Sequence, residues 1–436
     1  MTSEPAGASR SLSGRLAFLC VGVLAAASPA MLAAASDGPA LDGLVPLELP
    51  EEVATAVDLR WKEDGVLLLG VDDQGVYSWR VGEDRAEVFV TLAGSALGGM
   101  GRNQKYSRLG GLSNGALAFS SFADGVLRYD EGEFSYPKTV SVVGDVDRRH
   151  GRTVIVGVSF AEGGNWEDHL AWLIHDDGTV RGVLPRRTNR SYWRLASYLG
   201  VVRVLSEDRF LVVPVLEPGV FLYDGAGRLR DTLGTDTFFA ESSWMITPEE
   251  HRLLNDQAWN AAWLSQHRVI DEVVADDRGN VFLFVRHAPK GLSYPEDVFL
   301  DARGDVSGSV AAQHRDLLER IEKAGIEPVE SSGEGGPRRF EISDPELVEA
   351  ILRIKEPQRA EQFARVCWDL VHARIDELRS VTKTDCVVET EFADRRLRAD
   401  ARGERVAILL QGNTYRPAGP VRPTEVFEAR LVPPGP

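Results

Sequence analysis

From residue 53 to about residue 235 the chain is written as short apolar runs separated by polar, Gly-rich pairs. VLLLG (66–70), VYSWRV (76–81), EVFVTL (87–92), ALAFSSF (116–122), VIVGVSF (154–160), HLAWLIH (169–175), FLVVPVL (210–216) and VFLYD (220–224) have the length of strands. They also have the β-branched and aromatic content that suits a pleated, half-buried surface. Between them stand Glu63-Asp64-Gly65, Asn114-Gly115, Asp124-Gly125, Asp177-Gly178 and Gly225-Ala226-Gly227. Asn-Gly and Asp-Gly favour tight hairpins because two-residue turns need positive φ, which these residues tolerate. The pattern predicts an all-β chain of sequential hairpins.

A longer period lies on top of the short one. Gly75-Val76-Tyr77-Ser78-Trp79-Arg80, Gly125-Val126-Leu127-Arg128-Tyr129-Asp130 and Gly219-Val220-Phe221-Leu222-Tyr223-Asp224 repeat one phrase, Gly-Val-apolar-x-aromatic. Aligned on it, the chain divides into units at 53–92, 106–141, 142–185, 195–234, 269–286 continuing at 367–392, and 396–432. HLAWLIH, WDLVHARI and EVFEARLV take the place of the phrase in units three, five and six. Six four-stranded units are the repeat logic of a β-propeller. The sixth lacks a last strand, and LVPLELP (44–50) can supply it, closing the ring and removing free edges. Trp79, Tyr129 and Tyr223 are then expected between blades as packing residues.

VVADDRGNVFLFVR and EPGVFLYDGAGRLRDTLG resemble blades of exported bacterial six-bladed β-propellers, the broad NHL/TolB-like group. The resemblance covers nearly the whole chain after its first segment and is one of fold. It implies no activity, because one scaffold hosts many functions.

Two segments break the β pattern. In 236–268, Thr247-Pro248-Glu249-Glu250 has the cap, N1 proline and acidic first turn of a helix start. In 288–366, SVAAQHRDLLERIEKAG (309–325) and SDPELVEAILRIKEP (343–357) have helical periodicity, joined through SSGEGGP (331–337). The expected organisation is therefore a propeller over 44–432 with a helical insertion, 288–366, inside the fifth blade. Residues 1–35 stand apart. Arg10 and Arg15 precede an apolar run from Leu16 to Ala35 that ends in Ala33-Ala34-Ala35, a signal-peptidase pattern. They are expected to be a secretory signal, with an uncleaved anchor as the alternative. The protein is thus expected to be periplasmic or extracellular.

Composition narrows the partners. Of 436 residues, 43% are hydrophobic and 26% charged, enough apolar material for a core. A formal charge of −17 excludes a nucleic-acid or anionic-membrane role as the main one, since both need a basic face. Beyond the first segment only Cys367 and Cys386 remain, either paired, as an exported chain permits, or separately buried on neighbouring strands.

In a propeller, second-to-third-strand loops and blade-to-blade connections share one face. The long segments 93–105, 161–168, 186–193, 236–268, 288–366 and 411–424 all fall there by this topology, so that face is the candidate binding surface. It gathers Asn103, Lys105, Asn165, Trp166, Arg190, Tyr192, Trp193, Asn413, Tyr415 and Arg416. Aromatics beside amides and guanidinium groups suit a protein, peptide or carbohydrate ligand taken by a monomeric, non-catalytic module. Trp259 and Trp263, four apart on the expected helix, suit packing of that helix onto the ring. The alternative is a metal-dependent hydrolase or lactonase. First strands line the central channel, and Asp58, Asp145 and Asp271 are the candidate ligands there for calcium or another divalent ion. Asp147-Arg148-Arg149 reads as a solvated turn. The histidines show no metal-ligand spacing, and no cofactor motif is present.

Overall fold

The computed structural model describes residues 38–71, 74–91, 106–121, 125–138, 140, 142–159, 168–185, 200–214, 219–234, 268–287, 319, 323, 366–390, 396–411 and 424–434. The chain enters a closed ring with β1 (Ala40–Leu47). Blade 1 follows as β2 (Ala56–Glu63), β3 (Val66–Val71), β4 (Gly75–Arg80) and β5 (Glu87–Thr91), and blade 2 as β6 (Tyr106–Ser113), β7 (Ala116–Ser121), β8 (Gly125–Asp130) and β9 (Glu133–Lys138). Blade 3 is β10 (Val142–Arg149), β11 (Arg152–Val158), β12 (His169–His175) and β13 (Val180–Pro185); blade 4 is β14 (Val201–Ser206), β15 (Arg209–Val213), β16 (Val220–Asp224) and β17 (Leu229–Leu233). Blade 5 is β18 (Val269–Ala275), β19 (Asn280–His287), β20 (Val366–Arg374) and β21 (Glu377–Thr390). Blade 6 is β22 (Leu397–Arg402), β23 (Arg405–Leu410) and β24 (Glu425–Val432), completed by β1 on its outer edge.

Every blade is one antiparallel four-stranded sheet in simple up-and-down order. Neighbouring first strands touch in sequence, and β22 meets β2, so the ring closes. The six four-stranded units and an N-terminal closing strand are those the repeat predicts, although the closing strand is Ala40–Leu47 and not 44–50. So is the place of the repeated phrase, which forms β4, β8 and β16.

Among the described residues the core forms six clusters, one between each pair of adjacent blades. Strand alternation explains how one blade serves two of them. In blade 4, Phe210, Val212, Phe221 and Tyr223 join the cluster shared with blade 3, while Leu211, Val213, Val220 and Leu222 join that shared with blade 5. Both faces of an inner strand are therefore buried, and it reads as an unbroken apolar run instead of an alternating one. Trp79 and Tyr223 are buried in these interfaces, and Tyr129 packs partly buried against the cluster of blades 1 and 2. All three are scaffold.

Because each blade runs up and down, its first-to-second and third-to-fourth connections lie on one face of the ring. Its second-to-third connections and the blade-to-blade links lie on the other. On the first face the turns are tight. Asn114 and Gly115 have φ of 52° and 78°, and His150 and Gly151 have φ of 51° and 69°, as two-residue hairpins require. The second hairpin corrects an expectation: Asp147, Arg148 and Arg149 form no solvated turn but the end of β10, and the chain reverses one step later. Asp147 is fully buried because β10 lines the channel.

The expected signal segment 1–35 lies outside the described residues, as does the segment 236–268 expected to be helical, up to residue 267. Of the expected insertion, only Glu319 and Lys323 are described before Val366; each is helical and exposed. Cys367 and Cys386, on adjacent strands β20 and β21, form a disulfide with a Cα–Cα distance of 4.9 Å.

Candidate functional site

Each innermost strand carries charge into an apolar environment. In ring order the six strands contribute Asp58, Arg108, Asp145, Arg203, Glu272 and Arg398, an alternation of sign around the axis. All six residues are at most 4% exposed. Isolated charges at such depth are untenable, so their partners decide what the channel can do.

The carboxylates serve two functions at once. Four of them, Asp58, Asp145, Asp147 and Asp400, reach the backbone of the next blade's first strand. Asp58 Oδ2 accepts from Leu109 N–H at 2.9 Å, Asp145 Oδ2 from Val202 N–H at 3.0 Å, Asp147 Oδ2 from Val204 N–H at 2.7 Å, and Asp400 Oδ2 from Trp61 N–H at 2.8 Å. The last joins residues 339 apart in sequence and ties the final blade to the first. β-Bulges at Ala56/Asp58 and Val143/Asp145 sit beside two of these carboxylates, where they re-aim side chains from the ladder.

The same carboxylates also face arginines. Arg60 Nη1 lies 3.2 Å from Asp58 Oδ1, with Asp145 and Asp147 at 3.8 and 4.0 Å from its other nitrogens. Arg203 donates from Nη2 to Glu272 Oε1 at 2.5 Å and to Ala399 O at 3.2 Å. Arg149 bridges Asp147 and Asp400. Arg286 Nε stands 3.3 Å from Asp271 Oδ2, which also accepts from Trp368 Nε1 at 2.8 Å. Burial pushes the Asp145 carboxyl upward, but the guanidinium groups of Arg108, Arg203 and Arg60 outweigh it and hold Asp145 below the usual range. Asp400 is lowered in the same way, by Arg149, Arg60 and Arg203 acting against burial.

Asp58, Asp145 and Asp271 thus belong to a mixed-charge network. They sit on different blades, on β2, β10 and β18, and each has an arginine within 4.0 Å. Among the described residues, one set of three potential ligands has its donor atoms within 4.8 Å of one another: Cys367, Cys386 and Glu389. Two of those are joined in the disulfide.

A second polar cluster marks the end of blade 5 from which 288–365 departs. Asp369, buried beside the disulfide, accepts from Arg268 Nη1 at 3.0 Å and from Cys386 N–H at 3.0 Å. It also meets His287 Nε2 at 2.6 Å and lies 3.5 Å from Lys383 Nζ. Burial raises its pKa, but the bonds from His287 and Cys386 bring it below the ordinary carboxylate value. The cluster pins the two strand ends between which the longest connection is inserted.

The candidate face residues Asn103, Lys105, Asn165, Trp166, Arg190, Tyr192, Trp193, Asn413, Tyr415 and Arg416 lie outside the described residues. The strand ends that lead into their segments are described, and all are on the face opposite the tight hairpins. Sequence reasoning overlooked the axial arginines. The signal was present: YSRLGGLS, VVRVLS and LRADAR each set an arginine inside a buried strand.

No protein-family model and no curated protein matches the chain. Among solved structures it is similar to a streptogramin B lyase, at 10% identity and a TM-score of 0.37 over 90% of this chain and 98% of that one. A member of the DUF4221 family from Bacteroides vulgatus gives 6% identity and a TM-score of 0.45, with 91% and 98% covered. The PQQ-bound aldose sugar dehydrogenase of Streptomyces coelicolor gives 9% and 0.36, with 92% and 100% covered. Likeness at this level assigns no ligand, activity or partner to this chain.

Proposed function

We propose that this chain is an exported, non-catalytic binding module that takes a protein, peptide or carbohydrate partner on the face opposite its tight hairpins. The observation that carries the reading is the asymmetry of the ring. Hairpins such as Asn114-Gly115 and His150-Gly151 close one face. The long connections 92–105, 160–167, 186–199, 235–267, 288–365 and 412–423 all leave from the other. A rigid scaffold that concentrates its insertions on one side places recognition there. The axial carboxylates, engaged with arginine and backbone N–H groups, favour a structural channel over metal-assisted hydrolysis. The Cys367–Cys386 disulfide supports export, since such bonds persist in oxidising compartments.

The test is a thermal-shift screen of the chain lacking residues 1–35, against oligosaccharides, peptides and divalent metals. A true ligand at a hundred times its Kd stabilises by about 2.7 kcal/mol. The expected result is a saturable rise with a peptide or carbohydrate that Tyr192→Ala and Arg416→Ala abolish. Stabilisation by calcium together with hydrolysis of a lactone would overturn it.

A further inference from the structure

The tight-hairpin face carries a cleft of its own. It holds about 760 Å³, within the roughly 300–1,000 Å³ that small-molecule sites occupy. Its apolar lining includes Leu222, a member of the cluster between blades 4 and 5, and Ile375, which packs against that cluster. Its polar lining comes from the hairpins of three blades: Arg152 from blade 3, Asp208, Arg209 and the β16–β17 turn from blade 4, and Asp376 from blade 5.

Most of the charges there are paired. Arg209 meets Asp376 between blades 4 and 5. Asp224 Oδ2 takes Arg228 Nε at 2.8 Å and Arg230 Nη2 at 2.6 Å. Asp224 Oδ1 also accepts from the Ala226 and Arg228 N–H groups, at 3.0 and 2.9 Å, which fixes the turn that presents these arginines.

Three lining groups are left over. Among the described residues, the side chains of Arg152, Asp208 and Asp231 form no ion pair. Arg152 Nη1 is buried and has no hydrogen-bond partner, a costly state for a donor on a charged group. Gly225 makes the room for it. The Gly225 backbone lies outside the positive-φ region, so the turn does not demand glycine at that position. A Cβ there would nevertheless collide with Arg152 Nη1 and stand 2.8 Å from Glu207 O. The missing side chain serves the guanidinium, which is set into the cleft wall with no bond holding its fork.

We propose that this cleft binds a small zwitterion, whose carboxylate or phosphate oxyanion meets Arg152 and whose ammonium group meets Asp208 and Asp231. The groups left open are of both signs, and a ligand of one sign answers only part of them. The planar guanidinium fork matches an oxyanion, and Arg152 has no bond to break before presenting it. The zwitterion is either a short peptide with free termini or an aminoalkyl phosphate ester. The cleft lies on the face opposite the long connections and stands whether or not those segments capture a partner.

Calorimetric titration of the full chain with trialanine, N-acetyl-trialanine, trialanine amide and phosphoethanolamine tests it. Trialanine or phosphoethanolamine is expected to bind saturably and at least about fivefold tighter than either blocked peptide. Tighter trialanine identifies a peptide ligand, and tighter phosphoethanolamine an amino phosphate. Arg152→Gln should weaken that binding at least about tenfold and leave Tm unchanged, since it breaks no bond. Gly225→Ala should weaken it as well, by displacing the guanidinium. The exposed-surface double variant Asp208→Asn/Asp231→Asn should erase the preference for a free ammonium group. Absence of saturable binding by both zwitterions overturns the proposal and needs no variant to fold. A smaller advantage over the blocked peptides also overturns it, as does an Arg152→Gln variant that keeps its affinity or that loses affinity only together with Tm.

Discussion

Asp145 shows how one residue holds several blades. It binds the backbone of blade 4 and answers guanidinium groups from blades 1, 2 and 4. Replacing it by Asn keeps the shape and removes the charge, leaving buried arginines uncompensated. Breaking a buried pair from one side costs about 3–5 kcal/mol, so Asp145→Asn should lose that much in urea unfolding. Acid should reach this network and the Asp369 cluster of blade 5 alike. Asp145, Asp369 and Asp400 all have folded pKa values below the ordinary carboxylate value. Their stabilisation is complete above the unfolded pKa near ~4 and is lost as pH falls through the lower folded values. The urea midpoint should accordingly be flat through neutral pH and drop steeply below about pH 4. A midpoint unchanged down to about pH 2 would mean that these carboxylates contribute nothing. Of these acids Asp145 was legible in the sequence as a channel candidate, while Asp369 and Asp400 were not. Nor were the partners, because Trp61 with Asp400, or Arg203 with Ala399, meet only when the ring closes.

At the scale of elements, blade 5 is the informative one. Its second and third strands are adjacent and in register up to His287 opposite Cys367, yet 288–365 is inserted between them. Since the register reaches the last described residue before the insertion, a short turn can replace the segment. A chain with 288–365 replaced by Asn-Gly and two flanking residues should keep its far-UV spectrum and cooperative unfolding. Loss of folding would show that the insertion supports the ring. The disulfide that staples β20 to β21 encloses a loop with a sequence separation of 19. In the chain-entropy view a loop of that size contributes roughly 3 kcal/mol, so the Cys367→Ser/Cys386→Ser double variant should lose about that in urea unfolding. Strands and blade boundaries were readable because strands buried on both faces leave strong apolar runs with glycine turns between them. Asp147-Arg148-Arg149 misled for the converse reason: three charges in a row look like solvent, and only the closed ring buries Asp147 and Arg148.

The whole molecule depends on closure, which β1 provides from the far end of the chain. β1 is mostly exposed, with Leu44 at 40% and Val45 at 54%, so it adds little apolar burial. Its contribution is a ladder: Ala40 pairs with Val432, Asp42 with Arg430 and Leu47 with Val426. That ladder covers β24, which otherwise would present a row of unpaired N–H and C=O groups, a template for another chain. The six inter-blade clusters do not include β1 as a core member; Leu41 and Leu47 only pack against two of them. Removing residues 1–48 should therefore spare most of the core while exposing the β24 edge. On size-exclusion chromatography the shortened chain should elute as dimers and larger species at concentrations where the chain from residue 36 is monomeric. Supplying a peptide of residues 38–49 should return it to monomer by occupying the same edge. A shortened chain that stays monomeric, with an unchanged melting temperature, would show that the ring is held by its axial network and inter-blade clusters without the closing strand.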